Sequence, residues 1–291
     1  MSRSSRAPAG PLPTSGDLTV TALYTSATWS WAGLPSAELF ATSQARWVFR
    51  LTNGALELAQ WLQPGRPLPS LRHSLAQRHH MFDRLFQEWD GQQVLELAAG
   101  LSRRGAWASA DPSCYYLELD LPHVLATKES LLGRSAAGRR VLARANLQRV
   151  AADLSVELPS PGIDRDRPLL ILAEGLLMYL DADQQASLWR RVHRLLSEGA
   201  GGRFIFDLVP SIEQPRPSMV GEALGRAMKH FTGGRGFAAD ERSRSDILAG
   251  LQHAGFTSVK LHEPSTTPPR WNLPHLDRPT QALLFDGTVG P

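Results

Sequence analysis

The chain has one cysteine, Cys114, in 291 residues. A lone thiol closes no internal disulfide, so a reducing cytoplasm is the expected setting. Lysine is scarce too: Lys128, Lys229 and Lys260 are all there is, and the other basic residues are arginine. No five basic residues run together and the net charge is only +3, so no nucleic-acid partner is expected. No apolar run reaches the length of a membrane span; the best stretch, around Leu169 to Leu180, is interrupted by Glu174. No metal site is expected. Gly-x-Gly-x-x-Gly is missing, which weighs against a dinucleotide-dependent dehydrogenase. Residues 1–16 lack the apolar segment of a signal peptide and read as a disordered tail.

What is present is an ordinary globular composition, 42 % hydrophobic and 20 % charged, enough for one sizeable core. From Asp17 to about Trp89 apolar residues recur at three and four spacing, as in Ala37, Phe40, Ala41, Trp47 and Val48. This predicts a helical cap over 17–90, broken at Gln63 to Pro69. Strands are predicted at Gln92 to Ala98, Cys114 to Leu121, Leu147 to Ala151, Pro168 to Ala173 and Gly202 to Val209. Helices are predicted between them, at Pro122 to Leu132, Ala136 to Ala145 and Asp183 to Leu196. That alternation predicts parallel βαβ units. After a polar insert at about 210–242, a helix from Ser245 to Ala254 leads to strands at Phe256 to His262 and Gln281 to Phe285. With no crossover helix between them, these two should pair antiparallel. The expected fold is α/β: a doubly wound, mostly parallel seven-stranded sheet over 91–291, closed by an antiparallel hairpin.

The candidate chemistry sits at strand exits. The first strand ends in Ala98, Ala99 and Gly100, small residues that let a ligand approach the backbone. A tight strand-to-helix turn explains the same residues. Asp120 ends the second strand 20 residues after Gly100, where an acid can accept both hydroxyls of a ribose; capping the helix after Pro122 is the plainer account. Asp153 and Leu154 follow the third strand, in reach of an adenine, although Asp153 also reads as an ordinary turn residue. Glu174 follows the apolar run Leu169 to Ala173, where a charge is costly unless solvated or paired. It could meet a ligand ammonium, with Tyr179 on the substrate side.

Several stretches together resemble the leucine carboxyl methyltransferase family, and within it the bacterial polyketide O-methyltransferases. They are Thr21-Ala-Leu, Arg78-His-His-Met-Phe-Asp83, Val94 to Arg104, Leu117 to Pro122 with Lys128, Ala152-Asp-Leu154, and Ala173-Glu-Gly-Leu-Leu-Met-Tyr-Leu180. The resemblance implies S-adenosyl-L-methionine as cofactor and a class I methyltransferase fold. It implies that Arg78 clamps the methionyl carboxylate and that Glu96, Ala98 and Gly100 lie at the first-strand exit beside the methionyl moiety. Asp120 would hold the ribose, Asp153 and Leu154 the adenine, and Glu174 the ammonium. The chain departs from the family at Ala98, usually Gly, and at Ser102, usually Asp.

The implied activity is O-methylation of a hydroxyl or carboxyl on a small, polyketide-like acceptor. Methylation of a peptide or protein carboxyl terminus is one alternative, and a non-catalytic cofactor-binding module is another. Tyr179, His80 and His230 are the catalytic candidates, with His79 also weighed as a base. Tyr24 and Tyr179 are expected to line the acceptor pocket, with Trp29, Trp31, Phe40 and Trp47 nearby. Neither the oligomeric state nor the acceptor is fixed by the sequence.

Overall fold

The computed structural model describes residues 20–62, 70–213, 240–277 and 281–290. The tail at 1–16, His230 and most of the 210–242 insert lie outside the described residues.

Three helices come first: α1 (Val20–Trp31), α2 (Ser43–Leu62) and α3 (Leu71–Gln87). The sheet follows: β1 (Gln93–Leu97), β2 (Tyr115–Asp120), β3 (Leu147–Ala151), β4 (Leu169–Ala173), β5 (Gly202–Asp207), β6 (Ser258–His262) and β7 (Leu284–Val289). Between strands lie α4 (Arg104–Ala108), α5 (Pro122–Gly133), α6 (Ala136–Leu142), α7 (Ala182–Ser197) and α8 (Arg244–His253). The strand order is β3-β2-β1-β4-β5-β7-β6. β1 to β5 run parallel, and β7 pairs antiparallel with both β5 and β6. The predicted antiparallel pair is therefore present.

Local signals set the helix boundaries. Pro122 opens α5, where a missing N–H costs nothing. Asp181 with Gln184, and Ser243 with Asp246, form reciprocal capping boxes on α7 and α8. The sequence ended the last strand at Phe285, but β7 continues to Val289. Asp286 lies just past the predicted end. It is buried, held 2.5 Å from Arg203 and 3.2 Å from His262 on the flanking strands. Gly287 is needed there, because a Cβ would lie 2.6 Å from the Phe256 ring.

Strand alternation sends two sets of side chains to opposite faces. Leu95, Leu97, Leu117, Leu119, Ile171, Phe204, Phe206 and Phe285 pack against Trp189 and Val192 of α7 and Ile247 and Leu251 of α8. The other face carries Val94, Tyr116, Leu170, Leu172 and Ile205, packed with Trp29, Phe40, Met81, Phe82, Leu85 and Leu131. The N-terminal helices thus share a core with the sheet. By the same alternation Glu96, Glu118, Asp120 and Asp207 belong to this second face. One face of the sheet is mainly apolar, with Gln93 and Gln148 as polar exceptions, and the other carries the acids.

Candidate functional site

The parallel strands present their carboxyl ends along one edge, and β2, β1, β4 and β5 are neighbours there. This is where open α/β sheets bind ligands.

At the β1 exit, Ala98 has φ +50° and Gly100 φ +51°. The turn is pinned from β2: Asp120 accepts the Gly100 N–H and its own neighbour Leu121 N–H, both at 2.6 Å. Burial raises the Asp120 carboxyl pKa, and the two N–H donors oppose that rise. Asp120 therefore holds the small-residue turn itself. Ser102 Oγ accepts the Arg104 N–H at 3.3 Å.

α4 is short, and its first residues turn inward. The buried Arg104 guanidinium donates to Glu96 at 2.8 Å, Glu174 at 2.9 Å and Asp83 at 3.2 Å. Arg103 completes the group by bonding the other Asp83 oxygen. Despite desolvation, Glu174, Glu96 and Asp83 hold the Arg104 pKa well above its ordinary value.

Glu174 takes one hydrogen bond, from Arg104, and two further nitrogens form ion-pair contacts with its other oxygen. Arg78 Nη2 lies 3.2 Å and His79 Nδ1 2.5 Å from this Oε1. Burial would raise its pKa, but His79, Arg78 and Arg104 hold it well below the carboxylate range. Arg78 also reaches Asp207 at the β5 tip at 3.1 Å, and Asp207 accepts the Gly175 N–H at 2.6 Å. Burial pushes the Asp207 pKa up against the pull of Arg78. His79 is buried, and its Nε2 accepts from the Trp29 indole at 2.8 Å. Its proton therefore sits on Nδ1, facing Glu174. Burial drives its pKa down to about 4 in spite of Glu174.

The structure brings Arg78, Glu96, Ala98, Gly100, Asp120 and Glu174 to this edge. Glu96 is occupied by Arg104 and by the Tyr116 hydroxyl at 2.8 Å, so it anchors the network from within. Asp153 is exposed just beyond β3 and accepts from Ser155. Leu154 is partly buried against the apolar face, and its carbonyl accepts from Arg191. Tyr179 lies near Arg78 and Asp207, with its pKa raised by burial. His80 is half-buried, with its pKa lowered by burial.

Tyr24 is elsewhere. It is wedged between α1 and α2, its hydroxyl on Asn53 at 3.0 Å and its pKa pushed by burial to about 12. The expected aromatic pocket lining is corrected likewise: Trp29 and Phe40 are core, Trp31 stacks on His275, and Trp47 faces out. In a short helical layer, large rings are used for helix-to-sheet packing. A cavity of about 570 Å³ lies instead beyond β5 and β7, lined by residues including Gln77, Val209, Glu213, Arg244, Glu263 and Leu283. It is more polar than the sequence implied. Among the described residues no group of His, Cys, Asp and Glu could hold a metal ion.

Sequence reasoning missed Arg104, Asp83 and Asp207. Asp207 ends the apolar strand Phe204-Ile-Phe, the signal that singled out Glu174. Arg104 follows the turn that must lie against the sheet, so its charge needed a buried partner.

Strand order, antiparallel last strand and acid-tipped carboxyl edge together define a class I methyltransferase fold. The family model for leucine carboxyl methyltransferase matches residues 34–193, and the chain belongs to that family. A Mycobacterium ulcerans (strain Agy99) protein named "Putative S-adenosyl-L-methionine-dependent methyltransferase" is 29 % identical over 210 residues, 68 % of this chain and 66 % of that protein. A Mycobacterium marinum protein of the same name is 38 % identical over 124 residues, 40 % of this chain and 39 % of that one. The matched region thus spans 66 % or less of the length of these relatives. Among solved structures, a methyltransferase-titled protein from Thermobifida fusca YX aligns at TM-score 0.55 and 17 % identity, over 92 % of this chain and 94 % of that one. The structure titled "PigF with SAH" aligns at 0.50 and 21 %, over 72 % and 54 %. Both likenesses concern the fold.

Proposed function

We propose that the protein is an S-adenosyl-L-methionine-dependent O-methyltransferase acting on a small-molecule acceptor. The reading rests on one observation above all. Around the β4 and β5 tips, four carboxylates (Asp83, Glu96, Glu174 and Asp207) face three guanidiniums (Arg78, Arg103 and Arg104), while His79 is held neutral. Counted fully ionised, the cluster has one carboxylate more than it has guanidiniums, and burial raises the pKa of both Glu96 and Asp207. A buried excess charge is costly unless a ligand neutralises it. A ligand bearing an ammonium, a carboxylate and a sulfonium has the net charge of +1 that complements it.

Glu174 would hold the ammonium and Arg78 the carboxylate through a charge-assisted fork. Asp120 has oxygen lone pairs beyond its two N–H bonds for the ribose hydroxyls, and Asp153 with Leu154 would flank the adenine. When bound, the cofactor supplies a methyl group on a positively charged sulfur. The protein's part is then alignment and the exclusion of water. The acceptor belongs in the cavity by Gln77, next to Arg78 in sequence, and Val209, two residues after Asp207. The absence of a membrane-length apolar helix among the described residues accords with a small, diffusible acceptor.

His79 is not available as the base that a hydroxyl acceptor would use, which leaves Tyr179 and His80 among the described candidates for that role. Both nitrogens of His79 are engaged and its pKa lies near 4, so it cannot serve as base at neutral pH. A carboxylate needs none.

The test is calorimetric titration of S-adenosylhomocysteine into wild-type protein and Asp120→Ala, followed by transfer of labelled methyl to candidate acids and phenols. Affinity should fall by about 1–3 kcal/mol in the folded variant, the range for hydrogen bonds to a charged group. Binding without transfer to any acceptor would favour the non-catalytic module. No binding at all would end the proposal.

A further inference from the structure

Helix α2 is apolar on both sides. Its inner side packs on α1: Ala45, Val48 and Phe49 meet Leu23 and Ala27, and Asn53 meets Tyr24. Its outer side carries Trp47, Leu51, Leu58 and Trp61, which are 64 %, 53 %, 58 % and 75 % exposed. With Gly54 they fall at steps of four, three, four and three residues. This is the a/d seam of a coiled coil, about 21 Å long at 1.5 Å per residue. A surface helix normally turns its polar side outward, and a contiguous apolar stripe of this kind marks an interaction site.

The stripe is palindromic. Read in either direction from Gly54 it gives Leu, then Trp. We propose that α2 is the two-fold interface of a homodimer, with the helices antiparallel and crossing at Gly54. Isologous contacts require such self-complementarity. In this register Trp47 lies by the partner's Trp61, and Leu51 by the partner's Leu58. Gly54 permits close approach: a Cβ there would meet nothing within 4 Å in its own chain. The flanking charges are compatible with this. Arg50 is exposed on one side of the centre, and Glu57, which pairs with Arg72 of its own chain at 2.9 Å but is still 64 % exposed, on the other. Antiparallel pairing places each Arg50 beside the partner's Glu57, twice over. Four such side chains expose on the order of 400–500 Å² per copy, so two copies approach the roughly 1,000 Å² of a specific interface. With Arg46, Arg50 and Glu57 the helix has a net charge of only +1, short of the basic cluster that a membrane surface selects.

The experiment is sedimentation velocity of the full chain from low to high micromolar concentration, alongside Leu51→Glu and Gly54→Cys. The wild type should sediment as a dimer, and Leu51→Glu should weaken association about 100-fold or more with circular dichroism unchanged. Gly54→Cys, on the two-fold axis, should cross-link to a covalent dimer on mild oxidation. Ala137→Cys, on the exposed side of α6, should not. Cys114 is buried and contributes little background. If Leu51→Glu abolishes folding, the cross-link still decides. A monomer at every concentration, a dimer indifferent to Leu51→Glu, or absence of the Gly54→Cys cross-link overturns the proposal. So does a monomer that binds anionic phosphatidylglycerol vesicles through the same residues, since the stripe would then be a membrane contact.

Discussion

Glu118 and Glu174 are both buried and both paired, yet their surroundings differ in kind. Glu118 lies inside β2 and meets one cation, Lys128, at 2.8 Å; their side chains are 0 % and 1 % exposed. Charge is matched one to one and closed off: Gly105 packs so near that a Cβ would lie 2.1 Å from Glu118 Oε1. Glu174 stands at the open edge with three nitrogen-bearing partners, each shared with another carboxylate or ring. A closed pair has one arrangement and serves the fold. A shared, carboxylate-rich network can exchange partners when a ligand arrives. The contrast is breakable by substitution, because each site should fail in a different measurement.

The largest effect belongs to the closed pair. Lys128→Met leaves Glu118 buried under α5 without its partner, which should cost about 3–5 kcal/mol of stability. Chemical denaturation reads that loss. Cofactor affinity of the molecules that still fold should stay within error, and a matching loss of affinity would erase the distinction between the two sites.

Next comes the pH response of the open network. His79 is neutral in the folded protein, with a pKa lowered from 6.5 to about 4 by burial. An unfolded His79 protonates as pH drops through 6.5, whereas the folded one resists until about 4. Stability from this group is therefore complete above pH 6.5 and is lost on acidification across that window, by at most about 3 kcal/mol. Denaturation midpoints of wild type and His79→Gln, followed from pH 7 to about 4, should diverge, with the variant showing the shallower slope. Identical slopes would mean that His79 is exposed to water and protonates freely.

The edge itself was legible in the sequence because acids after apolar runs are conspicuous. Asp120 and Glu174 were found that way, and the βαβ alternation predicted that the strands run parallel. The cross-links were not legible. Arg104 reads as a surface arginine until α4 folds back under β1 and β4, and three-way sharing depends on which strands are neighbours. Trp29 illustrates the same limit: periodicity marked it as apolar, but only the docking of α1 on α3 shows its indole fixing the tautomer of His79. The predicted C-terminal strand stops short of Asp286, whose partners sit on the flanking strands, from 24 to 83 residues away in sequence.

Glu174→Gln follows in size. It keeps the shape of the hub and removes its charge. S-adenosylhomocysteine should bind about 5- to 150-fold more weakly, equivalent to about 1–3 kcal/mol. Calorimetry at fixed pH measures this, with Lys128→Met as the matched control. Unchanged affinity in Glu174→Gln would move the ammonium site elsewhere and leave Glu174 a structural acid like Glu118.

The smallest expected effect lies at the turn joining the two sites. Ala98 has φ +50°, a left-handed backbone that costs a residue with a Cβ about 1–2 kcal/mol. Glycine would remove that strain, but it loses roughly 0.5–1 kcal/mol through the greater freedom of the unfolded chain. Ala98→Gly should therefore stabilise the protein by no more than about 1 kcal/mol. Its effect on binding discriminates better. If the Ala98 methyl faces the cofactor, glycine should tighten S-adenosylhomocysteine severalfold by calorimetry. A stability gain with no change in affinity would place the methyl away from the ligand, and would assign the Ala98 turn to the closed, structural side of the comparison together with Glu118 and Lys128.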